Sequence, residues 1–310
     1  MMAVISNVRG DDFLKAYWTS RYGRTQKAQL FPNIKSKHNT PDKIASFTSD
    51  LLKTSEHYSA IELADDPLWA GFSDASRERI RTLKMLRSQS VHPVILSALA
   101  KLSHREQERL LWLLEVLIVR YQLIGGGRTG LLEIAGAKLA ADIFQGRVKT
   151  ATAAFASLKD IFPRDEEFRD AFAVKQERAN NKVQYLLKML EGELRKRRST
   201  KQESAELGPK SLTVEHIFPR NPGTNDWKDQ QKKDPQFAED CTYRLGNMTL
   251  LTTVNKDLGT QEFANKKKEY AKSSLFVTKD LAKVGEWNRD SVETRQIDMA
   301  GLAVSAWRFQ

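Results

Sequence analysis

A single cysteine, Cys241, occurs in 310 residues. That excludes an intrachain disulfide framework and any multi-cysteine zinc site. A metal would then need oxygen and imidazole ligands, which suits Mg2+ or Mn2+, and a reducing, cytoplasmic setting is expected. Long apolar runs are also missing. None approaches the ~18 residues that cross a bilayer. The stretch Leu110–Leu123 contains Glu115, Arg120 and Gln122 and reads as a buried helix. Met1-Met2-Ala3-Val4 has no charged start and no long apolar continuation, so no signal peptide is expected. Histidine is scarce: His38, His57, His92 and His104 lie apart, without a carboxylate or second histidine at ligand spacing. They read as surface or cap residues.

What the chain does have is material for a core and an excess of positive charge. Apolar residues make up 40% and charged residues 29%. The net charge of +11 suggests a polyanionic partner. The excess is uneven: residues 1–210 hold 35 Lys/Arg against 25 Asp/Glu, whereas residues 211–310 hold 15 against 14. Long-range attraction to nucleic acid would therefore come mostly from the first part.

From about residue 10 to 200 the pattern is helical. Pro41-Asp42-Lys43 after Thr40 reads as a helix start. Residues 77–88, 93–102, 103–123, 131–144, 150–161 and a long amphipathic stretch at 166–195 are the helix candidates. Ser103 with Glu106 forms a capping-box pattern, and Gly125-Gly126-Gly127 stops the helix before it. Gly125–Gly130 lacks the Lys-Ser/Thr ending and preceding strand of a P-loop, so a helix–helix turn is the better reading. The polar run Arg195–Ser204 reads as a helix end passing into a linker, where its basic residues suit the helix dipole. The expected organisation is a basic α-helical domain over 1–208 and a second domain over 209–310. Beyond residue 210 the order becomes strand, loop, strand, helix. A strand stops at Pro219, Arg244–Asn247 makes a turn, Met248–Thr252 is the second strand, and Asn255-Lys256-Asp257 begins helical structure. Thr260 would cap a helix to about Lys272. Trp287 and Trp307 read as core residues and Cys241 as inert.

Glu215-His216 and Asn255 bracket this unit, with Asn247 at the inner turn. Phosphodiester hydrolysis needs a base for the attacking water and positive charge on the departing oxygen. A histidine can be the base near neutral pH, and a divalent ion on carboxylate and amide oxygens can supply the charge. Asn247 in a turn is the kind of residue that pins a loop through backbone hydrogen bonds. Adjacent residues of a regular strand face opposite ways. Glu215 and His216 can therefore share one site only if the strand is ending or twisted there.

The segments "TVEHIFPRN", "RLGNMTLLTTVNKDLG" and "FANKKKEYAKS" together resemble the HNH (His-Me finger, ββα-metal) nuclease domain at the C-terminus of GmrSD-type modification-dependent restriction enzymes. The resemblance covers residues 211–310. "DDFLKAYWTSRYG" and "NNKVQYLLKMLEGEL" are more loosely similar to segments of the same family. It implies a mainly α fold: a helical domain followed by a small α+β HNH nuclease domain. It implies DNA, phage or modified, as substrate, Mg2+ (or Mn2+) as cofactor and host defence as the setting. Glu215 and Asn255 match the metal-binding positions, His216 the general base, and Asn247 the Asn that braces the fold. Lys266, on the following helix, joins His216 and Asn247 in the expected catalytic set as a phosphate contact or charge stabiliser; a surface lysine is its alternative. Arg220, Arg244 and Lys267 are the candidate nucleic-acid contacts. The family also carries an N-terminal ParB/sulfiredoxin-like NTPase domain that senses modification. No counterpart is found, so a C-terminal fragment of a longer enzyme is expected. The alternative functions are a non-catalytic DNA-binding or assembly module with a degenerate nuclease fold, and an RNase or toxin of the same fold.

Overall fold

The computed structural model describes residues 10–198, 212–223, 225–252 and 258–310. Two compact units divide at Pro163/Arg164: one ends at Pro163 and takes back Phe309–Gln310, the other is Arg164–Arg308. The division falls well before the expected boundary at 208/209, because the two helices after Arg164 pack on the C-terminal elements.

The first unit is helical throughout its described length: α1 (Gly10–Tyr22), α2 (Lys27–Lys37), α3 (Pro41–Glu62), α4 (Asp74–Met85), α5 (His92–Lys101), α6 (His104–Leu117), α7 (Thr129–Phe144) and α8 (Ala151–Ser157). The starts follow local chemistry. The Thr40 hydroxyl accepts from the Lys43 amide, with Pro41 in the first turn, and Ser73 and Thr150 cap α4 and α8 in the same way. Residues 93–98 of α5 are all buried. A helix apolar on every face belongs in the centre, and α1, α3, α6 and α7 pack around it. The buried Arg21 guanidinium links α1 to α3, donating to both Asp50 oxygens at 3.1 and 3.2 Å and to Thr54 at 2.7 Å. The capping box expected at Ser103 does not form. Glu106 instead accepts from the Ala151 amide at 2.7 Å, capping α8. After α6 the chain continues as a π-helical turn, Ile118–Ile124, and stops at the glycines, where Gly126 has φ +63°.

In the second unit, the long helix expected over 166–195 is two helices, α9 (Asp165–Val174) and α10 (Asn180–Arg197). The sequence between them contains no proline or glycine; the break is tertiary. Gln176 bridges to Arg244, the Glu177 amide donates to the Tyr243 carbonyl, and the Leu245 amide donates to the Lys175 carbonyl. Then follow β1 (Leu212–His216), α11 (Asn225–Lys233), α12 (Phe237–Cys241), a 3-10 turn at Leu245–Asn247, β2 (Met248–Thr252), α13 (Phe263–Tyr270), α14 (Phe276–Lys279) and α15 (Arg289–Ala306). The strands pair antiparallel, with Glu215 opposite Thr249 and His216 opposite Met248. A two-stranded ribbon is marginal alone; here α10 packs on both strands and α14 on β2. Phe218, Trp227, Phe237, Cys241, Phe263 and Trp287 belong to the core beside it. Trp287 and Trp307 are buried as expected. The Cys241 thiol is buried and its pKa is pushed up to about 11, which suits an inert side chain. α13 starts at Phe263 after Glu262 rather than at a Thr260 cap.

Candidate active site

β1 delivers Glu215 and His216 and is then held at its end. The Ile217 amide donates to the Asn247 carbonyl at 2.9 Å, extending the pairing beyond His216. The Asn247 side chain takes over at the next residue. Its Oδ1 accepts from the Phe218 amide at 2.8 Å, and its Nδ2 donates to the Phe218 carbonyl at 3.0 Å and to the Thr242 carbonyl at 3.1 Å. The Trp287 indole donates to the same Oδ1 at 2.9 Å. Asn247 thus ties the turn that carries it to the strand end.

The turn itself is fixed by α15. Gly246 packs so closely that a Cβ there would lie 2.2 Å from the Val292 carbonyl oxygen. Gln296 Oε1 accepts from the Gly246 amide and from Arg244, while its Nε2 donates to the Phe172 and Lys175 carbonyls. Arg295 donates to the carbonyls of Gly246, Met248 and Val277, and its burial brings its pKa down to about 10. Gln296 was not recognised in the sequence as part of the frame. The weak amphipathic pattern around Arg295-Gln296, which leaves no clear solvent face for polar side chains, is the signal that could have found it.

Glu215 and His216 face different surroundings, as the strand's alternation requires. Glu215 is turned toward α13, where Oε1 lies 2.6 Å from Lys266 Nζ. The same ammonium donates to the carbonyls of His216 at 3.0 Å and Ile217 at 3.1 Å. Lys266 is fully buried, so it is neither a surface lysine nor open to a phosphate. Its three protons are all engaged on the strand end. Burial pushes the Glu215 carboxyl up and the Lys266 ammonium down, and their contact opposes both shifts. The buried Tyr270 hydroxyl lies beside the same carboxylate without a well-formed hydrogen bond.

His216 instead meets Tyr243 edge-on, ring centroids 5.9 Å apart. Its Nε2 is buried and has no hydrogen-bond partner among the described residues. Burial, reinforced by the positive charges of Arg220 and Lys266, lowers its pKa to about 4, so the imidazole is neutral at pH 7. A buried unpaired nitrogen costs about 1–3 kcal/mol, and such groups concentrate where chemistry needs them.

The remaining expected residues separate. Arg220 is exposed and makes no ion pair with a described residue. Lys267 is half-buried, its ammonium 5.9 Å from the Phe263 ring. Arg244 is not available to phosphate: its guanidinium donates to Gln296 at 2.9 Å and to the Ala173 carbonyl at 2.7 Å, with Glu293 at 3.9 Å. Asn255 lies outside the described residues. Among those described, no group of three or more His, Cys, Asp and Glu side chains is placed to hold a metal. The one expected ligand that is described, Glu215, accepts from an ammonium, which disfavours an adjacent dication. These residues alone do not compose a metal site.

No helix among the described residues is long and apolar enough to cross a membrane. No curated protein matches the chain. Residues 162–302 match the family model for the C-terminal domain of GmrSD restriction endonucleases. The match begins two residues before the second unit and includes α9 and α10; the looser resemblance noted in the sequence had reached most of α10 but not α9. It is to this domain that the unit built around His216 and Asn247 is similar.

Proposed function

We propose that the chain is an HNH-type endonuclease that nicks or cleaves DNA, the nuclease portion of an anti-phage restriction system acting in the cytoplasm. One observation carries the reading above all: a neutral, unpaired imidazole at the end of a strand clamped by Asn247. In the reaction, His216 takes a proton from water. The water oxygen forms a bond to phosphorus, and the opposite P–O bond breaks, its electron pair leaving on the departing oxygen. Asn247 and Lys266 act as positioning residues, holding the backbone at His216 and over the two residues that follow it. Arg220 and Lys267 are the proposed phosphate contacts. A Mg2+ or Mn2+ requirement is proposed on the resemblance, with Glu215 and Asn255 at the matching positions; Glu215 could serve as a ligand only if its carboxylate left the Lys266 ammonium. Such an ion would supply charge on the leaving side. An N-terminal sensing domain belongs to the same proposal.

The Glu215–Lys266 contact favours a second reading, a binding module whose nuclease fold is inert. Plasmid nicking in Mg2+, Mn2+ and EDTA, with wild type and His216→Ala, separates the two. The nuclease reading expects metal-dependent nicking that drops by at least about a hundredfold in His216→Ala, the usual scale for a general base. Equal rates for the two proteins overturn it. Digestion of RNA beside DNA tests the substrate class.

A further inference from the structure

The segment between α9 and α10 carries a group that the proposed reaction does not yet use. Lys175–Ala179 is tied to residues 240–245 by the bridge and two backbone hydrogen bonds described above, and by Gln176 Nε2 donating to the Asp240 carbonyl at 3.0 Å. Glu177 turns the chain there, its Oε1 accepting from the amides of Arg178 and Ala179, both at 2.9 Å. That carboxylate therefore serves the backbone rather than the neighbouring guanidinium.

Arg178 is exposed and makes no ion pair with a described residue. Its guanidinium carbon sits 4.1 Å from the centre of the Tyr243 ring, and that ring is the one standing edge-on to His216. The backbone bonds already hold the loop, so the guanidinium is not needed to fix it. Stacking leaves the planar N–H fork free to face outward, the geometry that matches phosphate oxygens. Arg220 is a second exposed guanidinium without a described counter-charge, and its positive charge acts on the same imidazole.

We propose that Arg178, supported on Tyr243, is a phosphate-contacting residue that with Arg220 seats the phosphodiester backbone of a nucleic acid beside His216. The inference rests on reading His216 as the base of a nuclease. It goes further in assigning the α9–α10 loop, far from the HNH elements in sequence, to substrate positioning.

The test measures binding separately from cleavage. Affinity of the full chain for a short fluorescein-labelled DNA duplex is followed by anisotropy in EDTA across a range of NaCl concentrations. Arg178→Ala is expected to weaken binding on the order of tenfold and to flatten the slope of log K against log salt by about 1, the signature of one lost phosphate contact. Arg178→Lys recovers part of both. Arg169→Ala, which removes a positive charge paired with Asp170 on α9, leaves the slope unchanged. Thermal unfolding is compared alongside, so that a folding defect is not read as lost contact. In a cleavage assay Arg178→Ala raises KM more than it lowers kcat. An unaltered salt slope in Arg178→Ala, a slope equally altered in Arg169→Ala, or no DNA binding by the wild type overturns the proposal. If the wild type cleaves DNA while Arg178→Ala binds normally, only this inference fails. A chain that needs Arg178 to bind but never cleaves removes the nuclease reading instead.

Discussion

The Glu215 carboxylate and the Lys266 ammonium meet at 2.6 Å inside the second unit, while His216, the next residue along β1, turns to Tyr243. One residue of the Glu-His pair is therefore built into the frame and the other is left with an unpaired nitrogen. The ammonium also bonds the backbone carbonyls of His216 and Ile217, so the ion pair positions the strand end that carries the imidazole.

Breaking that pair from one side should be costly. Lys266→Met would leave the Glu215 carboxylate buried without its counter-charge and is expected to lose about 3–5 kcal/mol of stability. Combining it with Glu215→Met removes the stranded charge and should recover a substantial part of the loss. Urea unfolding of wild type, single and double variants measures this. A Lys266→Met protein as stable as wild type would show that the pair is not structural.

Asn247→Ala removes one acceptor and one donor that together satisfy the Phe218 amide, the Trp287 indole and the carbonyls of Phe218 and Thr242. Leaving these buried groups unpaired is expected to cost on the order of 4 kcal/mol. Near-ultraviolet circular dichroism during unfolding reports it, because Trp287 is itself a partner. Asn247→Asp keeps the acceptor but buries a negative charge against the carbonyl oxygens of Phe218 and Thr242, and should cost at least as much as Asn247→Ala.

Two glycines near and on α15 should respond in opposite directions. A methyl group at Gly246 meets the Val292 carbonyl at 2.2 Å and Gln296 Cβ at 2.9 Å, so Gly246→Ala must displace backbone and is expected to cost roughly 2–3 kcal/mol or more. Gly301 lies within α15 with nothing inside 4 Å of its added Cβ. Gly301→Ala should stabilise by about 0.5–1 kcal/mol through helix propensity. The two melting temperatures, measured side by side, should move apart.

In the first unit His92 is buried, and burial lowers its pKa to about 4. Glu62 stands 3.7 Å from Nδ1, beyond a hydrogen bond. The unfolded chain binds this proton near pH 6.5 and the folded chain only near 4. Stability is therefore full above pH 6.5, falls as the pH drops from 6.5 to 4, and loses no more from this group below 4. The loss amounts to roughly 3 kcal/mol. His92→Gln should show a shallower acid decline across that window than wild type. Parallel curves for the two proteins would refute the assignment.

The local features of this protein could be read from its sequence, because they depend on neighbours in the chain. Thr40 and Pro41 start α3, Met248–Thr252 is the second strand as expected, and the three glycines stop the helix they follow. Asn247 was legible as a brace because a turn before a strand is where an amide side chain finds loop backbone to bond. The roles that depend on distant partners were decided only by the tertiary structure. Lys266, 51 residues from Glu215, looks like any lysine of a charged run until α13 buries it against β1. Arg244 looks like a free cation until Gln296 and the Ala173 carbonyl claim its guanidinium. The break between α9 and α10 has no breaker residue, since the bonds that hold it open come from residues 240–245. Propensity and capping act within a few residues of the chain, whereas burial, charge pairing and the direction a side chain faces are set by whatever the fold brings against it.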